Sequence, residues 1–265
     1  MDVGFTVRMV DYEVQGHVAV ITLNRPEARN AVNPQVATEM EAAIDQMEAD
    51  PEVWVGVLRA VTVGDRPVFC AGADLKEINA GNGRNIVTAR GGFAGFAYRE
   101  RTKPVIAAID GLATAGGCEI TLACDLVVAT TRSSFGLAEV KRNLVAGAGG
   151  LYRLPHAIGR TVAMEAILTG EPLTAQRAYE LGMVNRLVEP GRAEEAAMAL
   201  AAQITAAAPM AVWESRKVVL ASTYESEEML RTLTNQATAG IMGSDDLKEG
   251  LSAFIEKRTP TWKGR

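Results

Sequence analysis

From His17 to Leu23 the chain is an almost unbroken β-prone run, and Asn24-Arg25-Pro26 closes it, because proline lacks a ladder donor and restricts the residue before it. This predicts a strand followed by a turn. Asn33-Pro34 then supplies a helix N-cap with proline at the first helical position. Val36, Met40, Ile44 and Met47 recur at spacings of four, four and three, so a helix is predicted to about Ala49. Pro51 ends it, and the apolar run Val53–Leu58, too short for an amphipathic helix, reads as a second buried strand. Pro67–Cys70, Pro104–Ile109 and Leu126–Ala129 predict further strands, separated by glycine-rich turns and helical stretches. Strands alternating with helices imply an α/β fold whose strands are buried on both faces.

The pattern changes after Glu189-Pro190-Gly191. Arg192–Ala208 is dominated by alanine, and Pro209–Ala221, Ser226–Met242 and Asp245–Lys257 carry helix-compatible patterning without a credible strand. The C-terminal quarter is therefore predicted to be helical, and helices this short need an apolar partner surface on the core or on another subunit.

Composition narrows the function. With 265 residues, 48% apolar and 22% charged, the chain buries enough surface to fold unaided as one large α/β domain or two small ones. A net charge of −5 gives no support to a general polyanion-binding role. Cys70, Cys118 and Cys124 are odd in number and form no CxxC, so neither a disulfide framework nor a zinc site is indicated and a reducing compartment fits. The opening MDVGFTVRMVDYEV lacks the apolar core of a signal peptide and no apolar run approaches a membrane span, so a cytoplasmic location is expected.

Several chemistries lose their local signals: there is no GxxxxGK-S/T, no GxGxxG after a strand, no GxSxG and no HExxH. His17, opening a strand, and His156, in a turn after Pro155, have no companion ligand or nucleophile nearby and read as structural or solvated. Two glycine-containing turns remain. Phe69-Cys70-Ala71-Gly72-Ala73-Asp74-Leu75 ends a strand before a helix, and Ala113-Thr114-Ala115-Gly116-Gly117-Cys118-Glu119 leads from Val105–Ile109 into the helix carrying Ile120 to Cys124. Such turns either pack tightly or offer bare backbone N–H groups to an oxyanion. Glu119 falls in the first turn of its helix, where the macrodipole favours any carboxylate, whereas Glu139 follows Ser134-Phe135-Gly136-Leu137-Ala138 in an apolar stretch unusual for an unpaired acid. Spacing alone does not bring the two together.

The segments Ala71–Glu77, Lys103–Ala108, Ala115–Glu119, Phe135–Val140 and Gly147-Ala148-Gly149-Gly150, in this order and spacing, closely resemble the enoyl-CoA hydratase (crotonase) family. The likeness extends to Asn24-Arg25-Pro26, Leu168-Thr169-Gly170, Gly182-Met183-Val184 and the Ala253–Arg258 tail, hence over essentially the whole chain. The resemblance implies a spiral of ββα units over residues 1–190, with residues 191–265 as a helical region for packing or oligomerisation. It also implies assembly as a homotrimer or homohexamer. An acyl-CoA thioester is the implied substrate and coenzyme A enters as part of it, with no separate cofactor, metal, nucleic acid or membrane partner expected.

By the same resemblance, the backbone N–H groups of Ala73 and Gly116 form an oxyanion hole. Glu119 activates the water that adds to Cβ of a 2-enoyl-CoA, and Glu139 delivers a proton to Cα. Paired carboxylates resist double ionisation, which fits a shared proton. Arg29, Ala71, Asp74 and Leu75 are implied to bind substrate. Phe254 and Lys257 are implied to reach CoA, often from a neighbouring protomer, and from Phe254 to Arg265 four basic residues face one acid. Where family hydratases commonly carry proline, this chain has Ala138 and Ala146, which free the backbone around the acyl pocket. The basic stretch Arg84–Lys103 is read either as a site for CoA phosphates or a polar acyl group, or as a solvated helix face. Isomerisation and hydration of a carnitine-like acyl-CoA are rival reactions in the same site. A non-catalytic RNA-binding protein on this scaffold is opposed by the glutamate pair and the acidic charge, and a serine protease of related architecture by the lack of a nucleophile–base constellation.

Overall fold

A computed structural model describes residues 8–265. The expectation for the N-terminal leader therefore lies in part outside the described residues. The chain begins with β1 (Val10–Gln15), antiparallel to β2 (Val18–Leu23), and α1 (Pro34–Ala49) follows, capped by the Asn33 side chain on the Val36 N–H at 2.9 Å. From there strands alternate between two sheets. β3 (Val55–Ala60) joins the large sheet and β4 (Val68–Cys70) the small one, before α2 (Leu75–Asn79). A hairpin of β5 (Val87–Thr88) and β6 (Gly92–Phe93) intervenes. The alternation resumes with β7 (Val105–Ile109) in the large sheet, β8 (Leu112–Thr114) in the small one and α3 (Gly116–Ala123). It repeats with β9 (Leu126–Thr130) and β10 (Ser134–Gly136), then a 3-10 turn at Glu139–Arg142. This is the expected ββα spiral.

The chain continues through α4 (Gly150–Ile158), α5 (Arg160–Thr169), β11 (Leu173–Thr174), α6 (Ala175–Glu180) and β12 (Arg186–Val188). The large sheet has the order β1-β2-β3-β7-β9-β12, parallel from β2 onward, and the small sheet has the order β11-β10-β8-β4, with β10, β8 and β4 mutually parallel. In β4, Val68 pairs with Leu112 but Cys70 with Ala113, so Phe69 is the extra residue of a bulge.

Burial explains the continuous apolar runs. Every residue of β2 and β7 is buried. Ala19, Ile21, Val105, Ala107 and Ile109 join the main core, while Val18, Val20, Ile106 and Ala108 pack on the other face against Ala193, Ala197 and Ala201. Those alanines belong to α7 (Ala193–Thr205), so the change of pattern at residue 190 is a change of secondary structure and not a break in the core. α8 (Pro209–Ala221), α9 (Glu227–Ile241) and α10 (Asp245–Glu256) complete the helical region, and α9 buries none of its residues in the single chain.

Three local expectations are corrected. His17 lies in the turn before β2, its ring stacked on Trp54 at 3.5 Å. His156 is inside α4 together with Pro155. The basic stretch 84–103 is no helix face but a 3-10 turn, the β5–β6 hairpin and turns. Most of its charge is already used: Arg90 and Arg99 pair with Asp45, Arg101 donates to the carbonyls of Arg99 and Ala123, and the buried Lys103 ammonium donates to those of Met47, Glu48 and Asp50 at the C-terminus of α1.

Candidate active site

The C-terminal ends of three adjacent parallel strands, β4, β8 and β10, open onto one cavity of about 1100 Å³. Open α/β sheets bind ligands at such ends. After β4 the chain runs through Ala71-Gly72-Ala73 and is stapled to residue 32: the Val32 N–H donates to the Gly72 carbonyl at 2.8 Å and the Asp74 N–H to the Val32 carbonyl at 2.9 Å. After β8, Ala115 donates its N–H to the Gly136 carbonyl at 2.8 Å and turns the chain into α3 with φ 50° and ψ −128°. Among the described residues, neither the Ala73 nor the Gly116 N–H has an acceptor, and both residues line the cavity.

Gly72 is what lets the two turns meet. Its φ is 86°, and a Cβ there would lie 2.8 Å from the Gly116 nitrogen.

Glu119 is 3% exposed, yet its carboxylate is not orphaned: Oε1 accepts from the N–H groups of Ala148 at 2.7 Å and Gly150 at 2.9 Å. Burial pushes its ionisation upward, while those two bonds and the Arg153 guanidinium pull the other way. Glu139, at the start of the 3-10 turn after β10, is half-buried and its Oε2 has no partner. Burial, reinforced by the facing Glu119 charge, pushes its carboxyl up to about 7, against the opposing pull of its own N–H and of Arg142. The two acids therefore differ: one is oriented by fixed donors, the other holds its proton near neutrality with a free oxygen.

The remaining expected residues separate into two groups. Arg29, Ala71, Asp74 and Leu75 line the same cavity. The Asp74 carboxylate is occupied, accepting from Arg25 at 2.7 Å and capping α2 through the Lys76 N–H, so it braces the Ala73 turn and is not a free ligand. Arg25 was not foreseen as its partner. Phe254 and Lys257 lie outside the cavity lining of the single chain, with Phe254 84% exposed at the end of α10. Sequence reasoning also passed over Phe93, whose ring packs on the Gly116 α-carbon, and Tyr98, both lining the cavity. Ala148 and Gly150 stood inside a quoted motif, but nothing local shows that their N–H groups serve an acid 29 and 31 positions earlier.

Paired free N–H donors beside two carboxyls, one buried and held by backbone N–H groups and one half-buried with a free oxygen, suit the stabilisation of an oxyanion with proton transfer next to it. The sequence matches the Enoyl-CoA hydratase/isomerase family model over residues 13–265, and the chain belongs to that family. Relatives include an (E)-benzylidenesuccinyl-CoA hydratase of Thauera aromatica, 38% identical over 96% of this chain and 99% of that protein. A carnitinyl-CoA dehydratase of Salmonella typhi is 35% identical over 94% of this chain and 96% of its own length. The crystal structure of an enoyl-CoA hydratase from Mycobacterium tuberculosis H37Rv superposes with a TM-score of 0.92 at 44% identity, covering 98% of this chain and all of that one.

Proposed function

We propose that the chain adds water across the C2=C3 bond of a 2-enoyl-CoA. The observation that carries this reading is the pair of acids, Glu119 held by two N–H donors and Glu139 with a free oxygen, beside two unoccupied backbone donors. The thioester oxygen accepts from the Ala73 and Gly116 N–H groups. Ionised Glu119 removes a proton from water as the water oxygen bonds to Cβ, and the π electrons move toward the thioester, giving an enolate whose charge rests on those donors. In other enzymes one such donor contributes about 3 kcal/mol to transition-state stabilisation. Protonated Glu139 then delivers its proton to Cα. Glu119 ends protonated and Glu139 ionised, and transfer of a proton between them or through solvent restores the starting state. Coenzyme A serves as the substrate's handle, and the proposed steps use no other group.

Arg29, Lys76 and Arg142 line the cavity without an ion-pair partner among the described residues and suit the anionic groups of a CoA ester. We further propose that a second copy of the chain covers the exposed α9–α10 face in a trimer or hexamer, bringing Phe254 and Lys257 of one protomer to the CoA site of another.

Steady-state assay against short, long, aromatic and carnitine-like 2-enoyl-CoAs in D2O tests the reaction. Hydration yields a 3-hydroxyacyl-CoA with one solvent deuteron at Cα. A 3-enoyl product with no water added would make the chain an isomerase, and inertness toward the whole panel would defeat the reading.

A further inference from the structure

The turn that holds Glu119 is itself held from behind. The Tyr98 hydroxyl donates to the Gly147 carbonyl at 2.6 Å. Arg153, in the first turn of α4, donates from Nη1 to the Ala148 carbonyl at 3.1 Å and from Nη2 to the Ala97 carbonyl at 2.7 Å. Its guanidinium lies 5.6 Å from the Tyr98 ring centroid and 5.4 Å from that of Tyr152, within cation–π range of both. Gly149 closes the grip: its φ is 107°, and the Arg153 guanidinium and Tyr152 hydroxyl occupy the space a side chain would need. Arg153 has no carboxylate ion-pair partner among the described residues, so its charge is not spent on a surface pair.

We propose that Arg153, seated between Tyr98 and Tyr152, is a positioning residue for Glu119: by gripping the 147–150 turn it fixes the N–H groups that aim the carboxylate. The groups facing Glu119 are the Glu139 carboxyl across the cavity, the Cys118 thiol beside it on α3, the Tyr98 phenol from the segment after β6, and Arg153 from α4. Arg153 is the cation among them. Without it, burial acts on Glu119 unopposed except by N–H bonds that have lost their backing. The base is then protonated over more of the neutral range.

This inference rests on the hydration reading only for the task assigned to Glu119. Its test therefore includes a measurement that needs no substrate: infrared titration of the full chain labelled with 13C-glutamate, the Glu119 band being identified by its loss in Glu119→Gln. In Arg153→Met the Glu119 midpoint rises by about one pH unit, kcat at neutral pH falls about 10-fold and recovers toward alkaline pH, and KM stays within about 2-fold. In Arg153→Lys the charge remains but the planar fork that spans the Ala97 and Ala148 carbonyls is lost, so the midpoint rises less than in Arg153→Met while kcat still falls about 5-fold. An unmoved Glu119 midpoint in folded Arg153→Met overturns the proposal. If that variant does not fold, wild-type kcat in Arg153→Lys overturns it instead. A parent chain inert toward every enoyl-CoA defeats the hydration reading alone, because the titration still decides whether Arg153 governs Glu119.

Discussion

Replacing Glu139 with glutamine separates what this acid does for chemistry from what it does to stability. In the folded chain its carboxyl is pushed up to about 7 from an ordinary value of 4.5 by burial and by Glu119, with Arg142 the facing cation that opposes them. Below pH 4.5 folded and unfolded chains both hold the proton. Between 4.5 and 7 the folded chain keeps a proton that the unfolded chain has lost, so this site's stabilising contribution is fullest at low pH and is lost as pH rises through 7. The full gap corresponds to about 3 kcal/mol, and screening at a half-buried carboxyl that borders an open cavity reduces it to about 1.5 kcal/mol. Glu139→Gln does not titrate. Relative to the parent it therefore gains about 1.5 kcal/mol of stability between pH 5 and pH 8, while hydration falls by about 10²-fold or more throughout. Urea unfolding of both chains at half-unit pH intervals, paired with turnover at each pH, measures the two effects. A stability difference that stays flat, or that shrinks with rising pH, would refute the account of Glu139 as an acid kept protonated by its surroundings.

Three further outcomes follow from the same geometry. Gly72→Ala places a methyl group against the Gly116 nitrogen at a positive φ, so it costs about 1–3 kcal/mol of stability in denaturant titration and depresses kcat at least about 10²-fold. Ala115→Gly relieves a left-handed, non-glycine backbone at φ 50°, and its melting temperature rises by the equivalent of about 1 kcal/mol, the strain released exceeding the added unfolded-state entropy. Lys257→Ala weakens binding of CoA and acyl-CoA alike in calorimetry at low salt, and unaltered affinity in a variant of unchanged oligomeric state removes the tail from the site.

Strong periodicity made some elements readable from the amino acids alone. The Asn33-Pro34 cap and the spacing of Val36, Met40, Ile44 and Met47 predict α1 to its last residue, and Pro209 marks the start of α8. β8 and β10 escaped notice because Leu-Ala-Thr and Ser-Phe-Gly lack the β-prone apolar run that marks the equally short β4, and β1 because only its first residue is buried. Pro155 suggested a turn, yet α4 carries it inside the helix. The donor turns and both acids were legible as motifs. Their partners were not: Asp45 for Arg90 and Arg99, Arg25 for Asp74, and Ala148 and Gly150 for Glu119 all lie at sequence separations where only the closed fold decides contact.

The bulge at Phe69 bears on which changes the site can survive. Removing that single extra residue would leave the Val68–Leu112 and Cys70–Ala113 pairs in place but take out the local bend and twist that the bulge gives the strand, re-aiming the segment that leads to Ala73 and its N–H. The donor at Ala73 is backbone, so many side chains are tolerable there, whereas a one-residue deletion anywhere between Val68 and Ala73 is not. Length, more than identity, is the heritable constraint on this stretch. Diversification of such a site should proceed by substitution within a fixed count of residues, and a library with codon deletions in β4 should return folded but inactive chains.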